Sequence, residues 1–196
     1  MLGIWMLLAT PGYGFDDWLS MRDSGVVRQQ RDYSCGAAAL ATLLTYFYQD
    51  PVTEEALLQQ TMNDRASDPG SAFQSTGLSF AEMARLGQSR NYPVLGVEVS
   101  YSDLKKLRMP VIVALEVHGR AHFSVLRKID DQDRVFLADP SWGNRQWGRQ
   151  EFLQSFAVAG KTSRGRVLLV GAKQGQRGDD AYRHRSPRRV LMAPRP

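Results

Sequence analysis

The hydrophobic pattern of this 196-residue chain changes period once, and that change limits the fold more than any other feature. Between Gly36 and Gly87 apolar residues recur at helical spacing. Leu40, Leu43, Leu44 and Phe47 share one face of a helix expected over 36–48, which Asp50-Pro51 ends. A second helix is expected over 54–62 with Thr53 as N-cap. A third opens on the capping box Ser79-Phe80-Ala81-Glu82 and ends near Gly87. From Val94 onward the period is two. Strands are expected at 94–99, 111–117, 121–128, 135–138 and 166–170, with short helical segments at 102–107 and 149–156. Val26-Val27 reads as a short entry strand, and the polar stretch 63–77 as a loop. Helices first and strands second make an α+β domain rather than an alternating α/β one.

Charge separates this domain from its ends. Residues 173–196 hold seven basic and two acidic residues, whereas residues 1–172 hold 18 of each. The net charge of +5 therefore sits in the tail, and the folded part lacks the basic face that nucleic acid requires. Gly, Arg, Pro and Gln dominate residues 173–196, which are expected to be a disordered tail. Its charge could hold the protein weakly at an anionic membrane surface; a solvated tail without a partner is the blander reading. Residues 1–15 carry no charged side chain, and Met1 to Ala9 is apolar, like the hydrophobic part of a secretory signal. A basic start and an A-x-A site are missing, so an apolar arm packed on the domain is the alternative. The expectation is a periplasmic or exported protein with its domain at 16–172; a cytoplasmic or inner-membrane-associated one is the alternative. No run of 18 apolar residues offers a transmembrane helix. One cysteine and three histidines leave no disulfide framework or Cys- or His-rich metal site, and no cofactor or metal is expected.

The chemistry concentrates around that single cysteine. In Gln29-Gln30-Arg31-Asp32-Tyr33-Ser34-Cys35-Gly36-Ala37-Ala38-Ala39-Leu40 the thiol lies where a loop becomes a helix. Backbone N–H groups and the helix dipole favour the thiolate there, the nucleophilic form. Gly36 and Ala37–Ala39 are slim enough for a substrate backbone to approach. A structural cysteine is the commoner fate of a lone thiol, but it would sit inside an apolar stripe rather than at its polar edge. A thiolate nucleophile needs a base and something to orient it. His184 lies in the charged tail and His118 in a hairpin turn, whereas His122 opens a strand, a more rigid platform. The next strand ends in Asp139-Pro140. If the two strands form a hairpin, Asp139 returns beside His122, where a carboxylate would fix the ring. Taken singly, a satisfied histidine and a turn-starting Asp-Pro are the bland readings.

A Gln six positions before Cys-Gly, then His-Phe, then Asp-Pro on the following strand resembles the bacteriocin-processing cysteine peptidases, papain-like enzymes that cut leader peptides after a Gly-Gly pair. The resemblance spans about residues 25–171, and Tyr33-Ser34-Cys35-Gly36 is similar to the stand-alone members, some associated with export of functional amyloid. It implies a papain-like fold with N-terminal helices on a C-terminal antiparallel sheet. It also implies Cys35 as nucleophile, His122 as base and acid, Asp139 as its orienting group and Gln29 as an oxyanion donor. Gln30 is chemically identical to Gln29, and the six-residue offset prefers Gln29. Transporter-linked members usually carry an acid immediately before the Cys, where this chain has Ser34. The implied partners are a peptide or protein substrate, such as a secreted peptide or amyloid component, and export machinery. Two other classes remain open at this point: a non-catalytic peptide-binding module of a secretion system, and another papain-like acyl-transfer enzyme such as a transglutaminase or amidase.

Overall fold

The computed structural model describes residues 18–65, 77–158 and 163–184; the apolar segment 1–15, the loop residues 66–76 and residues 185–196 lie outside these. In chain order the elements are α1 (Trp18–Asp23), α2 (Cys35–Thr42), α3 (Glu54–Arg65), α4 (Phe80–Ser89), β1 (Val94–Ser100), α5 (Tyr101–Lys106), β2 (Val111–Val117), β3 (Arg120–Ile129), β4 (Val135–Asp139), β5 (Gly143–Trp147), α6 (Arg149–Phe156), β6 (Arg164–Val170) and α7 (Asp180–His184). The strands form a six-stranded sheet in the order β1-β6-β2-β3-β4-β5, with every neighbouring pair antiparallel. Helices precede strands, as the change of period requires for an α+β fold.

Both faces of the sheet are covered. Ile112, Val125, Ala138 and Leu168 face a core built with α2, α3 and α4. Val111, Val113, Leu115, Leu126, Leu137 and Val167 face a second core closed by Tyr101 and Leu104 of α5 and Phe152 and Phe156 of α6. A strand buried on both sides has no polar face, which explains the unbroken apolar run at Val111–Leu115. The capping box of α4 forms: Ser79 Oγ accepts from Glu82 N at 3.3 Å, and Ser79 N donates to the Glu82 carboxylate at 2.7 Å. Thr53 Oγ1 caps α3 by accepting from Ala56 N at 3.1 Å.

Several local expectations change. Val26-Val27 is not a strand of the sheet: the Val27 N–H donates to Thr42 Oγ1 on α2 at 2.9 Å, so the segment runs against the helix. The helix expected over 36–48 starts at Cys35 and passes into a π-helical turn at Leu43–Phe47. Helix α3 runs to Arg65, beyond the start expected for the loop. Helix α1 and strand β5 have no counterpart in the sequence reading. The two pack together, with Asn144 Nδ2 donating to the carbonyls of Met21 and Ser24.

The largest correction concerns the tail, which was expected to leave the domain at Lys173. Residues 173–184 pack back on the domain at the far end of the helix that begins at Cys35. Asp179 N donates to the Phe47 carbonyl at 2.7 Å, Gln176 Nε2 donates to the Tyr48 carbonyl at 2.7 Å, and Lys173 pairs with Asp50 at 2.8 Å. Tyr182 is 1% exposed and stacks on Tyr46 with ring centroids 6.1 Å apart. A side chain at Gly178 would collide with the Phe47 ring. Composition identified the segment as polar and basic, but one buried tyrosine and a few backbone bonds suffice to hold a short strap. Tyr182→Ala should therefore lower the stability of the whole domain by about 3–5 kcal/mol, the usual cost of deleting a buried aromatic ring. Urea denaturation measures it, and a loss of no more than about 0.5 kcal/mol, typical of a surface residue, would contradict the packing role of the strap.

Candidate active site

Helix α2 is buried along its whole length, and Cys35 is its first residue. Ala37, Ala38 and Ala39 have no exposed surface. A Cβ at Gly36 would lie 3.2 Å from Leu78 Cβ and 3.3 Å from the Met83 sulfur. The expectation that these slim residues admit a substrate backbone is thus corrected: they let α2 pack closely inside the domain. Cys35 itself is 8% exposed. Ser34 does not cap the helix with its side chain; its Oγ donates to the Arg31 carbonyl at 2.7 Å and accepts from Arg31 N at 3.1 Å, closing the turn that leads to the thiol.

The β3–β4 pairing brings His122 and Asp139 together. Val125 pairs with Ala138, so continuing the antiparallel register sets Asp139 opposite Ser124. His122 lies two residues from Ser124 on the same side of the pleat, a diagonal within reach of a long side chain. His122 Nε2 and Asp139 Oδ2 are 2.9 Å apart, with the histidine 8% and the aspartate 0% exposed. Cys35 is also near enough to the imidazole to help raise its pKa. With Nε2 on the carboxylate, Nδ1 is left for the sulfur. Burial, the largest single influence, opposes a charge on the ring. The hydrogen bond to Asp139, the nearby Cys35 and the charge of the Asp139 carboxylate outweigh it, and the His122 pKa is raised to about 9. His118 stands apart in the β2–β3 turn, exposed, with φ +52°. His184, the remaining candidate, is exposed in α7 and bonds Arg183 at 3.3 Å.

Asp139 opens the turn that joins β4 to β5. Its Oδ1 accepts from Ser141 N at 2.8 Å and Trp142 N at 3.0 Å, so the carboxylate that holds His122 is itself held by backbone. The Trp142 ring leans on the His122 ring with centroids 5.2 Å apart. Gly143, at φ +78°, ends the turn where the Arg22 carbonyl comes too near for any Cβ. The same turn receives Gln29. Gln29 N donates to the Pro140 carbonyl at 3.1 Å, and Gln29 Oε1 accepts from Ser141 Oγ at 2.7 Å. Gln30, by contrast, is exposed and its amide donates to the Arg28 carbonyl at 3.2 Å. The structure thus separates two chemically identical neighbours and sends Gln29 to the Asp139 turn. Ser141, Trp142 and Glu54, whose carboxylate accepts from Gln30 N at 3.1 Å, were missed by sequence reasoning. The only signal was the turn-forming string Asp-Pro-Ser-Trp-Gly. A cleft of about 740 Å³ opens at His122 between β2, β3 and the start of α4, lined by Leu78, Phe80, Ala114, Ala121 and Phe123.

Comparison with known proteins bears on what this arrangement belongs to. Residues 23–161 match the family model of the Peptidase C39 family. A protein of Pseudomonas aeruginosa named "Probable functional amyloid protease FapD" is 34% identical over 155 residues, covering 76% of this chain and 67% of the relative. One of the same name from Pseudomonas fluorescens is 32% identical over 145 residues, covering 71% and 62%. The chain thus spans about two thirds of the length of these relatives. Among solved structures, the peptidase domain of Streptococcus ComA, a bi-functional ABC transporter involved in a quorum sensing pathway, superposes with a TM-score of 0.60 at 14% identity, covering 76% of this chain and 98% of that domain. A double glycine motif protease from an AMS/PCAT transporter, in complex with the leader peptide, gives a TM-score of 0.57 at 23% identity, covering 76% and 91%. At these identities the two structures show the fold, which is the papain-like α+β fold. The family match over most of the chain, with relatives at 34% and 32% identity, shows that this protein belongs to the Peptidase C39 family and is a cysteine peptidase.

Proposed function

We propose that the enzyme hydrolyses the peptide bond after a Gly-Gly pair in the leader of a secreted substrate, with Cys35, His122, Asp139 and Gln29 as its catalytic machinery. The observation that carries this reading is the buried His122–Asp139 pair, 2.9 Å apart, with the only thiol close enough to influence the ring. The leader substrate is supported by likeness to a double glycine motif protease. A link to functional amyloid is supported by the two FapD relatives.

In this mechanism His122 holds the proton released by Cys35, and the sulfur attacks the scissile carbonyl carbon. The carbonyl oxygen becomes an oxyanion, which the Gln29 amide and the Cys35 N–H stabilise; as the first helical residue, Cys35 has no intrahelical acceptor for its N–H. The His122 proton passes to the leaving amine as the C–N bond breaks, giving a thioester on Cys35. Water, deprotonated by His122, attacks that thioester and releases the carboxylic acid and the free thiol. Asp139 fixes the ring and stabilises its charged form. The apolar stretch Met1 to Ala9 extends the proposal to an exported enzyme, and fractionation of cells carrying the full chain tests it.

Mass spectrometry of a peptide with Gly-Gly before the scissile bond tests the roles. Cys35→Ala should abolish cleavage with the fold intact, His122→Ala should be nearly as severe, and Asp139→Asn should be milder. His118→Ala should be close to neutral; loss of activity there with His122→Ala active would reverse the base assignment. Gln29→Ala should lower kcat by about 10²–10³, the usual cost of one oxyanion donor, while Gln30→Ala should do much less. Equal small effects would remove Gln29 from the machinery.

The raised His122 pKa gives a pH test. Acylation needs the ring protonated, so kcat/KM should fall as pH rises through about 9. Asp139→Asn removes a charge and alters a hydrogen bond that both raise this value, so the basic limb should move to lower pH. A limb that stays near 9 in that variant would show that Asp139 does not support the imidazolium.

A further inference from the structure

The Asp139 turn reaches two groups that chemistry must align: the ring that carries the proton and the amide that meets the oxyanion. We infer that Ser141 is a positioning residue that fixes the orientation of the Gln29 carboxamide; this rests on Gln29 being the oxyanion donor proposed above.

The backbone on either side of the Gln29 side chain is already anchored. Gln29 N donates to the Pro140 carbonyl at 3.1 Å. The next peptide N–H, at Gln30, is taken by the carboxylate of Glu54, which is 3% exposed, with both oxygens at 3.1 Å. Arg28 reaches the Ser141 carbonyl with its guanidinium and pairs with Asp23 at 3.0 Å. What remains is the side chain and the way its amide faces. A carboxamide has a donor end and an acceptor end of nearly equal size, and only its partners decide between them.

Those partners leave one solution. Gln29 Nε2 is 3.0 Å from the Arg31 carbonyl, which can only accept, so the NH₂ end must lie there. The oxygen end then faces Ser141 Oγ at 2.7 Å, and the hydroxyl must donate. With one N–H on Arg31 and the oxygen on Ser141, the second N–H is the one assigned to the oxyanion. Without the Ser141 hydroxyl, the oxygen end loses its donor and the amide is held from one side only. The Ser141 backbone N–H, which holds Asp139, is indifferent to the side chain. The side chain of Ser141 therefore serves the amide, and its main chain serves the carboxylate.

Two reactions of Cys35 separate these roles. Peptide hydrolysis develops an oxyanion; alkylation by iodoacetamide displaces iodide from a saturated carbon and develops none. Ser141→Ala should lower kcat on the Gly-Gly peptide about tenfold, the rate equivalent of one ordinary hydrogen bond, with KM little changed. Its alkylation rate and the pH profile of that rate should match wild type. Ser141→Thr, which keeps the hydroxyl, should restore most of kcat. In a Gln29→Ala background, Ser141→Ala should have no further effect. Parallel loss of alkylation and hydrolysis would place Ser141 with Asp139 and His122 and overturn the inference, as would a Ser141→Ala loss that persists without Gln29. If Gln29→Ala alone leaves kcat unchanged, the oxyanion reading falls and this inference with it. If Gln29→Ala costs the full factor and Ser141→Ala costs nothing, the oxyanion reading stands and only the inference fails.

Discussion

The structure around the site is organised by one buried carboxylate. Asp139 has no exposed surface, and an unpartnered carboxylate there would be strongly unfavourable. Its two oxygens are filled by three donors: the His122 ring on Oδ2, and the N–H groups of Ser141 and Trp142 on Oδ1. Each donor dictates something further out. The ring must come from β3, which fixes how β3 and β4 pair. The two N–H groups require a tight turn directly after β4, which Pro140 and Gly143 provide. That turn in turn supplies the carbonyl and hydroxyl that receive Gln29. Substituting the carboxylate would therefore disturb the orientation of the histidine, the turn and the amide together.

A second constraint is the depth at which the thiol is carried. Helix α2 runs buried between the sheet and α4, which needs Gly36 and three alanines, and Cys35 at its start keeps 8% exposure. The far end of the same helix passes into a π-helical turn, and the strap at residues 173–184 covers it. The thiol thus sits at the start of a buried helix held at both ends, with a cleft beside His122.

Much of this arrangement was legible because it depends on local patterns. The capping box at Ser79, the alternation over Val94–Val99, and the cysteine at the polar edge of an apolar helix each express a rule acting within a few residues. The proximity of Asp139 to His122 was also accessible, since strands separated by a short turn fold back on one another and the end of one meets the start of the other. What escaped depends on contacts between distant residues. Nothing in Tyr182 announces that it packs on Tyr46 and Phe47, so composition alone assigned its segment to a loose tail. Strand β5 is short and polar, and β4 and α1 hold it in place. The small residues after Cys35 carry no mark distinguishing room for a substrate from room for a neighbouring helix. Ser141 resembles any turn serine until Gln29, 112 residues earlier, is seen against it.

The central claim is that a peptide acyl group passes through Cys35. Acid-quenched intact-mass spectrometry during turnover of a peptide ester ending in Gly-Gly tests it directly. The account predicts an adduct with the mass of the peptidyl acyl group, mapped to the fragment that contains Cys35 and absent from an inactive Cys35→Ala variant. Cleavage by Cys35→Ala at the wild-type rate, or an acyl adduct on any other residue, would contradict it.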